Sequence, residues 1–285
     1  MLAEQVLTTP APDPNAGMYL DLLRRTITRE VVDDPGRVFA PRGGRLRSRL
    51  ARAVVALLAE RKLTVVRQTH HTLEERLEGW GWPGQAESMS GSRRLEFLQR
   101  VIYVLEKDGI RGDFFEGGCW RGGAVILMLG ALRALGIDDR KVWAADSFDG
   151  YPRPTDSSTA QDRLLYDERG YFAISVEEFE ANVRRFELMS DALVILQGYF
   201  DRSIPSADIK ELALIRIDID GYEGVHMILE HLYPKLSPGG FVLIDDYSVA
   251  GARRAVDEHL AKHAPEAVLR PIPQRKEKSV YFRKR

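Results

Sequence analysis

Two short acidic stretches are the residues of this 285-residue chain with the clearest chemical potential. Asp218-Ile219-Asp220 follows the apolar run Leu212 to Ile217, and Asp245-Asp246 follows Gly240 to Ile244. If the two runs are neighbouring strands, at least three carboxylates meet at one pocket mouth. Two like unit charges about 4 Å apart repel by roughly 4 kcal/mol at an effective dielectric near 20. Such a cluster needs protonation or a bound cation. All-oxygen ligation suits a hard ion such as Mg²⁺, with Ca²⁺ or Mn²⁺ as alternatives. Adjacent aspartates also occur as solvated loop residues or helix caps, and that reading stays open for Asp245-Asp246.

Other polar residues sit where further apolar runs end. Glu116-Gly117-Gly118-Cys119-Trp120-Arg121-Gly122-Gly123 leads from a strand pattern into a helical one. Glycines there allow a tight turn and a close backbone approach to a ligand, and Glu116 offers an acceptor for an ammonium or hydroxyl. A dinucleotide fingerprint would need G-x-G-x-x-G, and Cys119 and Trp120 fall where its glycines belong. Cys119 has no histidine near it in sequence and reads as a small residue filling the turn. Asp146-Ser147-Phe148-Asp149-Gly150 ends the next strand pattern. An acid there can accept both hydroxyls of a ribose, or it can cap the following segment. Gln197-Gly198-Tyr199-Phe200 could wall an adenine.

These positions require a scaffold that brings strand ends together. From about Ser92 onward helical and strand patterns alternate: helix 93–107, strand 113–116, helix 121–135, strand 142–145, strands 193–196 and 212–217, helix 222–235, strand 240–244, helix 250–262 and a strand near 280–282. Ser175 with Glu178 three residues later reads as a capping box for a helix to about Phe186. Short, almost continuously apolar strands between helices demand a parallel sheet covered on both faces, and ligands bind beyond its carboxyl ends. Residues 1–17 read as flexible and 18–91 as a helical segment covering a substrate. That segment holds Tyr19, Leu22, Leu23, Ile27 and Val31 at helical spacing and a basic amphipathic stretch at 45–63. Residues 92–285 form the ligand-binding domain.

Composition narrows the class. A formal net charge of −1 gives no electrostatic reason to expect nucleic acid or a membrane surface as partner. A single cysteine fits a reducing, cytoplasmic compartment, and neither a signal peptide nor a membrane span is visible. The six histidines read as helix-surface or partly buried residues, with no metal-ligand spacing beside another ligand.

The residues together resemble the class I methyltransferases, and within them the macrocin/mycinamicin (TylF/MycF) and novobiocin-sugar O-methyltransferase family. The resemblance rests on Tyr19–Leu23, Gly81-Trp82-Pro83, Ser88-Met89, Gly112–Gly123, Val142–Pro152, Asp218–Glu223 and Leu232–Tyr247. It implies an α/β, Rossmann-like, seven-stranded and mostly parallel sheet with helices on both faces and an N-terminal helical lid. It also implies S-adenosylmethionine as methyl donor, Mg²⁺ as an essential ion and a hydroxyl on a sugar moiety as acceptor. Carried over by position, Ser88 and Met89 line the cofactor pocket and Glu116, Gly117, Gly118, Arg121, Gly122 and Gly123 hold the methionine part. Asp146 and Ser147 hold the ribose, and Gly198 and Phe200 the adenine side. Asp218, Asp245 and Asp246 match the metal ligands, and Asp220 matches the general base. Relatives suggest self-association as a dimer or larger. The stretch from Gly36 to about Arg76 is longer than the family pattern. Competing readings are a methyltransferase of a catechol or phenolic acceptor, a metal-dependent hydrolase, and a non-catalytic binding protein.

Overall fold

The apolar runs singled out above become the strands of one sheet in a computed structural model, which describes residues 6–32, 36–39, 41, 46–67, 71–154, 160–167, 169–275 and 279–285. The N-terminal part contains α1 (Pro14–Ile27), β1 (Arg37–Val38), α2 (Leu46–Glu60), β2 (Val66–Arg67) and α3 (Leu73–Glu78), with β1 and β2 paired antiparallel. Asp13 caps α1 by accepting from the N–H groups of Asn15 and Ala16. Val6, Leu20, Leu23 and Ile27 are buried in the main core, so α1 and part of the segment before it pack into the body of the domain. The basic helix α2 turns Leu50, Val54 and Leu57 outward.

The larger unit follows in the order α4 (Gly91–Lys107), β3 (Asp113–Gly117), α5 (Gly123–Leu135), β4 (Val142–Asp146), α6 (Ala160–Asp167), α7 (Arg169–Phe172) and α8 (Val176–Arg185). Next come β5 (Leu193–Gln197), α9 (Phe200–Ser203), β6 (Leu212–Ile217), α10 (Tyr222–Leu232), β7 (Leu236–Ile244), α11 (Ala250–His263), β8 (Arg270–Pro271) and β9 (Val280–Arg283). The sheet has seven strands in the order β5-β4-β3-β6-β7-β9-β8. β3 to β7 run parallel and β9 is antiparallel to both β7 and β8. The expected seven-stranded, mostly parallel α/β architecture is the one observed.

Side chains along the central strands alternate between two cores, as the twofold period of a strand requires. Phe114, Leu214 and Phe241 face α4 and α5, while Phe115, Ile215 and Val242 face α10 and α11. The order of connection reverses at β3, with β4 and β5 laid to one side of it and β6 and β7 to the other, which opens a crevice beyond the ends of β3 and β6.

Several boundaries differ from the sequence reading. The helix expected to reach Lys235 stops at Leu232 and tightens into a 3₁₀ turn, Tyr233–Lys235. Pro234 removes a donor there and cannot continue the α-helix. β7 begins at Leu236 rather than Gly240, and its pairing with β6 shifts register between Leu212 and Leu214. Ser175 does cap α8, with Oγ accepting from Glu178 N at 3.2 Å. The polar stretch after β4, to which the sequence patterns assign no element, carries α6 and α7.

Candidate active site

A cavity of about 590 Å³ occupies the crevice, a volume suited to a ligand with most of its surface enclosed. Its floor is a charged network built on Arg216. This residue lies on β6 directly opposite Glu116 on β3 and is 2 % exposed. Its guanidinium pairs with Glu116 Oε1 and donates to Asp245 Oδ2 at 2.5 Å, Ser90 Oγ at 2.7 Å and Asp218 Oδ2 at 2.9 Å. Arg94, from α4, adds a second cation 3.2 Å from Asp245 Oδ2. The charge problem posed by the aspartates is thus answered in part by the chain's own guanidinium groups.

The carboxylates respond unequally. Burial pushes Asp218 up, but Arg216 and Arg94 outweigh it, and the group sits below its ordinary range. Burial raises Asp245 despite the two arginines. Asp246 is driven well above the usual carboxylate value by burial and by the negative charges of Asp218, Asp220 and Asp245. Glu116, fully buried, is raised to about 8 by desolvation against the pull of Arg216. Its second oxygen, Oε2, has no hydrogen-bond partner.

The glycine turn owes its residue types to packing. A Cβ on Gly117 would strike Ile228, one on Gly118 the Asp218 carbonyl, one on Gly122 the Phe179 ring and one on Gly123 the Ser88 side chain. Gly118, at φ +85°, also adopts a conformation that disfavours other residues. Asp146 holds this turn in place. Its Oδ2 accepts from the N–H groups of Cys119 at 2.8 Å and Trp120 at 3.0 Å, and its Oδ1 from Phe148 at 2.9 Å. Trp120 and Phe148 both have positive φ, and these three bonds offset the strain of non-glycine residues there. Asp146 thus ties the glycine turn to the start of the following segment, and its carboxylate also borders the cavity. Cys119 is buried, with Sγ 3.5 Å from two carbonyls, and its thiol is held well above its ordinary value by desolvation. That is a turn-filling residue.

Of the residues expected at the site, Ser88, Met89, Glu116, Gly118, Gly123, Asp146, Ser147, Phe200, Asp218, Asp220 and Asp246 line the cavity. Gly117, Arg121, Gly122, Gly198 and Asp245 lie outside its lining. Arg121 stacks on Trp120 at 4.3 Å and donates to the carbonyls of Gly84 and Ala86, so it ties down the segment between α3 and α4. Asp245 is 1 % exposed and turned toward Arg216 and Arg94.

Sequence reasoning did not single out Arg216, Arg94, Ser90 or Tyr151. Tyr151 donates to Asp220 Oδ2 at 2.5 Å, and its phenol is raised far above its ordinary value by burial and by Asp220 itself. It therefore remains a donor. The one available signal for Arg216 was an arginine interrupting an apolar strand that runs straight into two aspartates.

A sheet of this order, with a charged floor at its switch point, matches a described family. The model of the macrocin-O-methyltransferase (TylF) family covers residues 16–284. The chain belongs to this family. It is 35% identical over 257 residues to the mycinamicin III 3''-O-methyltransferase of Micromonospora griseorubida, covering 89% of this chain and 92% of that protein. It is also 35% identical over 264 residues to the demethyldecarbamoylnovobiocin O-methyltransferase of Streptomyces niveus, covering 92% of each. The solved structure of the O-methyltransferase NovP superposes with a TM-score of 0.79 at 34% identity, covering 94% of this chain and 99% of the other. Membership makes this protein an O-methyltransferase and sets aside the hydrolase and non-catalytic readings. Among its described residues, no helix is long and apolar enough to cross a membrane.

Proposed function

We propose that this O-methyltransferase moves the methyl group of S-adenosylmethionine to a hydroxyl of a sugar moiety in antibiotic biosynthesis, with a divalent cation such as Mg²⁺ at its acidic floor. The sugar acceptor is supported by what the relatives are named for, including a 42% identical tetracenomycin rhamnosyl 4'-O-methyltransferase of Streptomyces olivaceus, aligned over 67% of this chain and 74% of that one.

The observation that carries the cofactor assignment is the second oxygen of Glu116. It is buried, unpaired and at the cavity wall, where the ammonium of the methionine part would satisfy it. Ser88 and Met89, from the segment between α3 and α4, border the same space. Asp146 keeps the glycine turn from collapsing into it.

The cation fits the donor set. Arg216 and Arg94 pair with Glu116, Asp218 and Asp245, whereas Asp246 is driven well above the ordinary carboxylate value by burial and by the negative charges of Asp218, Asp220 and Asp245. Asp218, Asp245 and Asp246 would hold the ion, hard oxygen ligands suiting Mg²⁺. When bound, it would lower the pKa of the acceptor hydroxyl and fix its orientation. The chain's own groups supply the remaining steps. Bound S-adenosylmethionine would supply the methyl group, its sulfur leaving as a neutral thioether, and the Asp220 carboxylate is placed to take the proton of the acceptor hydroxyl. Tyr151 holds that carboxylate in position through its 2.5 Å hydrogen bond. Trp82, fixed by donating to Tyr171 at 2.8 Å, closes the cavity on the side of the N-terminal segment and limits water.

Mass spectrometry of reactions with deoxysugar-bearing compounds and catechols tests the acceptor. A methylated sugar supports the proposal, and methylation of catechols alone refutes it. Calorimetry with S-adenosylhomocysteine tests the cofactor, and undiminished turnover in excess chelator would remove the metal.

A further inference from the structure

The second cluster of metal-binding side chains lies on the opposite face of the sheet from α4 and α5, between α10 and α11. His259 and His263 stand four residues apart on α11, a spacing that puts both on one helix face. Glu230 on α10 faces them. One ligand atom from each of the three lies within 4.8 Å of the others, the sole such group among the described residues. His263 Nε2 is 3.2 Å from Glu230 Oε2, and the two imidazole rings are 4.8 Å apart.

The decisive member is His259. It is 4 % exposed, and neither ring nitrogen has a hydrogen-bond partner. A buried imidazole normally pairs both nitrogens, so a buried ring with two idle ones calls for a ligand. Tyr233 packs against it edge-on at 5.0 Å through its ring, which fixes the imidazole without engaging its nitrogens. Around the cluster, Lys262 Nζ lies 3.5 Å from Glu230 Oε1. That lysine is 67 % exposed and can swing into solvent.

We propose that Glu230, His259 and His263 form a zinc site that clamps α10 to α11. Two imidazole nitrogens and one carboxylate oxygen make a borderline-soft donor set, which favours zinc over Mg²⁺ and leaves a fourth position for water. Glu230 lies eight residues along α10 from Tyr222, about 12 Å at the helical rise, so the clamp is separate from the cavity floor. Its effect on that floor is mechanical. α10 begins just after Asp220 and α11 just after Asp245-Asp246, and joining their later turns holds the two loops at a fixed separation.

The test uses the full chain without a polyhistidine tag, titrated with Co²⁺ as a spectroscopic stand-in and then with Zn²⁺. Nitrogen ligation in four-coordinate geometry gives intense visible bands, which the oxygen donors of the cavity floor do not produce. Wild type should develop these bands to a single equivalent, and Zn²⁺ should displace them and raise the melting temperature. Glu230→Gln and His263→Ala alter exposed side chains and should fold normally. Each should bind about tenfold or more weakly and lose the thermal shift. Absence of the bands in wild type, or bands of unchanged intensity and affinity in His263→Ala, would overturn the site.

Discussion

Replacing Arg216 by Met removes the cation at the centre of the floor and leaves Arg94 beside Asp245. The substitution keeps an unbranched apolar stem in the strand and removes four polar contacts, to Glu116, Ser90, Asp218 and Asp245. Three carboxylates then face one another behind a 2 % exposed position. Each close pair repels by roughly 4 kcal/mol at an effective dielectric near 20, and breaking a buried ion pair commonly costs about 3–5 kcal/mol. The variant relieves part of this by keeping protons, so the expected net loss near neutral pH is about 3–5 kcal/mol, or roughly 10 °C in melting temperature. The sign with pH follows from the same groups. Without the guanidinium Asp218 loses the pull that holds it low, and Glu116 and Asp245, already raised by burial, climb further above the unfolded values of about 4, so the native variant binds more protons than wild type and than the unfolded chain. Stability is then present at low pH and lost as pH rises. Melting followed by tryptophan fluorescence should show the gap between wild type and Arg216→Met shrinking from about pH 7.5 to about pH 5. A loss below about 1 kcal/mol at the higher pH, within the range of an ordinary surface change, refutes the reasoning. So does a gap that stays constant across that range.

Further outcomes follow from individual contacts. Because burial holds Glu116 near 8, a ligand ammonium must meet it as the carboxylate, and S-adenosylhomocysteine should bind about tenfold more tightly per pH unit from about pH 6 to about pH 8. Glu116→Gln should bind weakly with a flat profile; a wild-type profile that is already flat would count against this role. Asp220→Asn should lower kcat by about a hundredfold or more with little change in KM, and Tyr151→Phe by about tenfold through lost positioning of that carboxylate. A loss within twofold for Asp220→Asn would return it to a structural part. Cys119, buried and held as the thiol, should resist a disulfide reagent until denaturant is added, whereas labelling of the folded protein at the rate of a free thiol would contradict its placement.

The fold was legible because its signals are local. Apolar runs of strand length, the Ser175 cap and the alternation with helices are each contained within a few residues, and together they demand a parallel sheet with a crevice at its switch point. α6 and α7 were not legible because α6 is a short element in a polar stretch, and α7 has only four residues, too few for a period to show. Membership of the carboxylates at the floor could be read from strand ends, but their electrostatic partner could not. Arg216 looks like a blemish in an apolar strand until the register sets it opposite Glu116, 100 residues away. The glycines of the β3–α5 turn show the reverse difficulty. Their spacing suggests a ligand's approach, whereas Ile228, Phe179 and Ser88 occupy the space each lacks.

The same distinction explains why the acidic pattern alone overstates the case for a metal at three equal aspartates. Asp245 and Asp246 are adjacent in sequence, yet a strand's end sends them to different environments: Asp245 into the guanidinium network, Asp246 to the cavity wall. Neutralisation by Arg216 and Arg94 is spent mainly on Glu116, Asp218 and Asp245. Asp246, driven well above its ordinary value by burial and by the negative charges of Asp218, Asp220 and Asp245, is left facing the cavity, where an acceptor would enter. A cation at this carboxyl would relieve the repulsion that raises it, and would lie next to the carboxylate proposed to take the proton. Asp246→Asn should accordingly weaken Mg²⁺ stimulation of turnover more than it alters stability, and the opposite ranking would assign Asp246 to the scaffold.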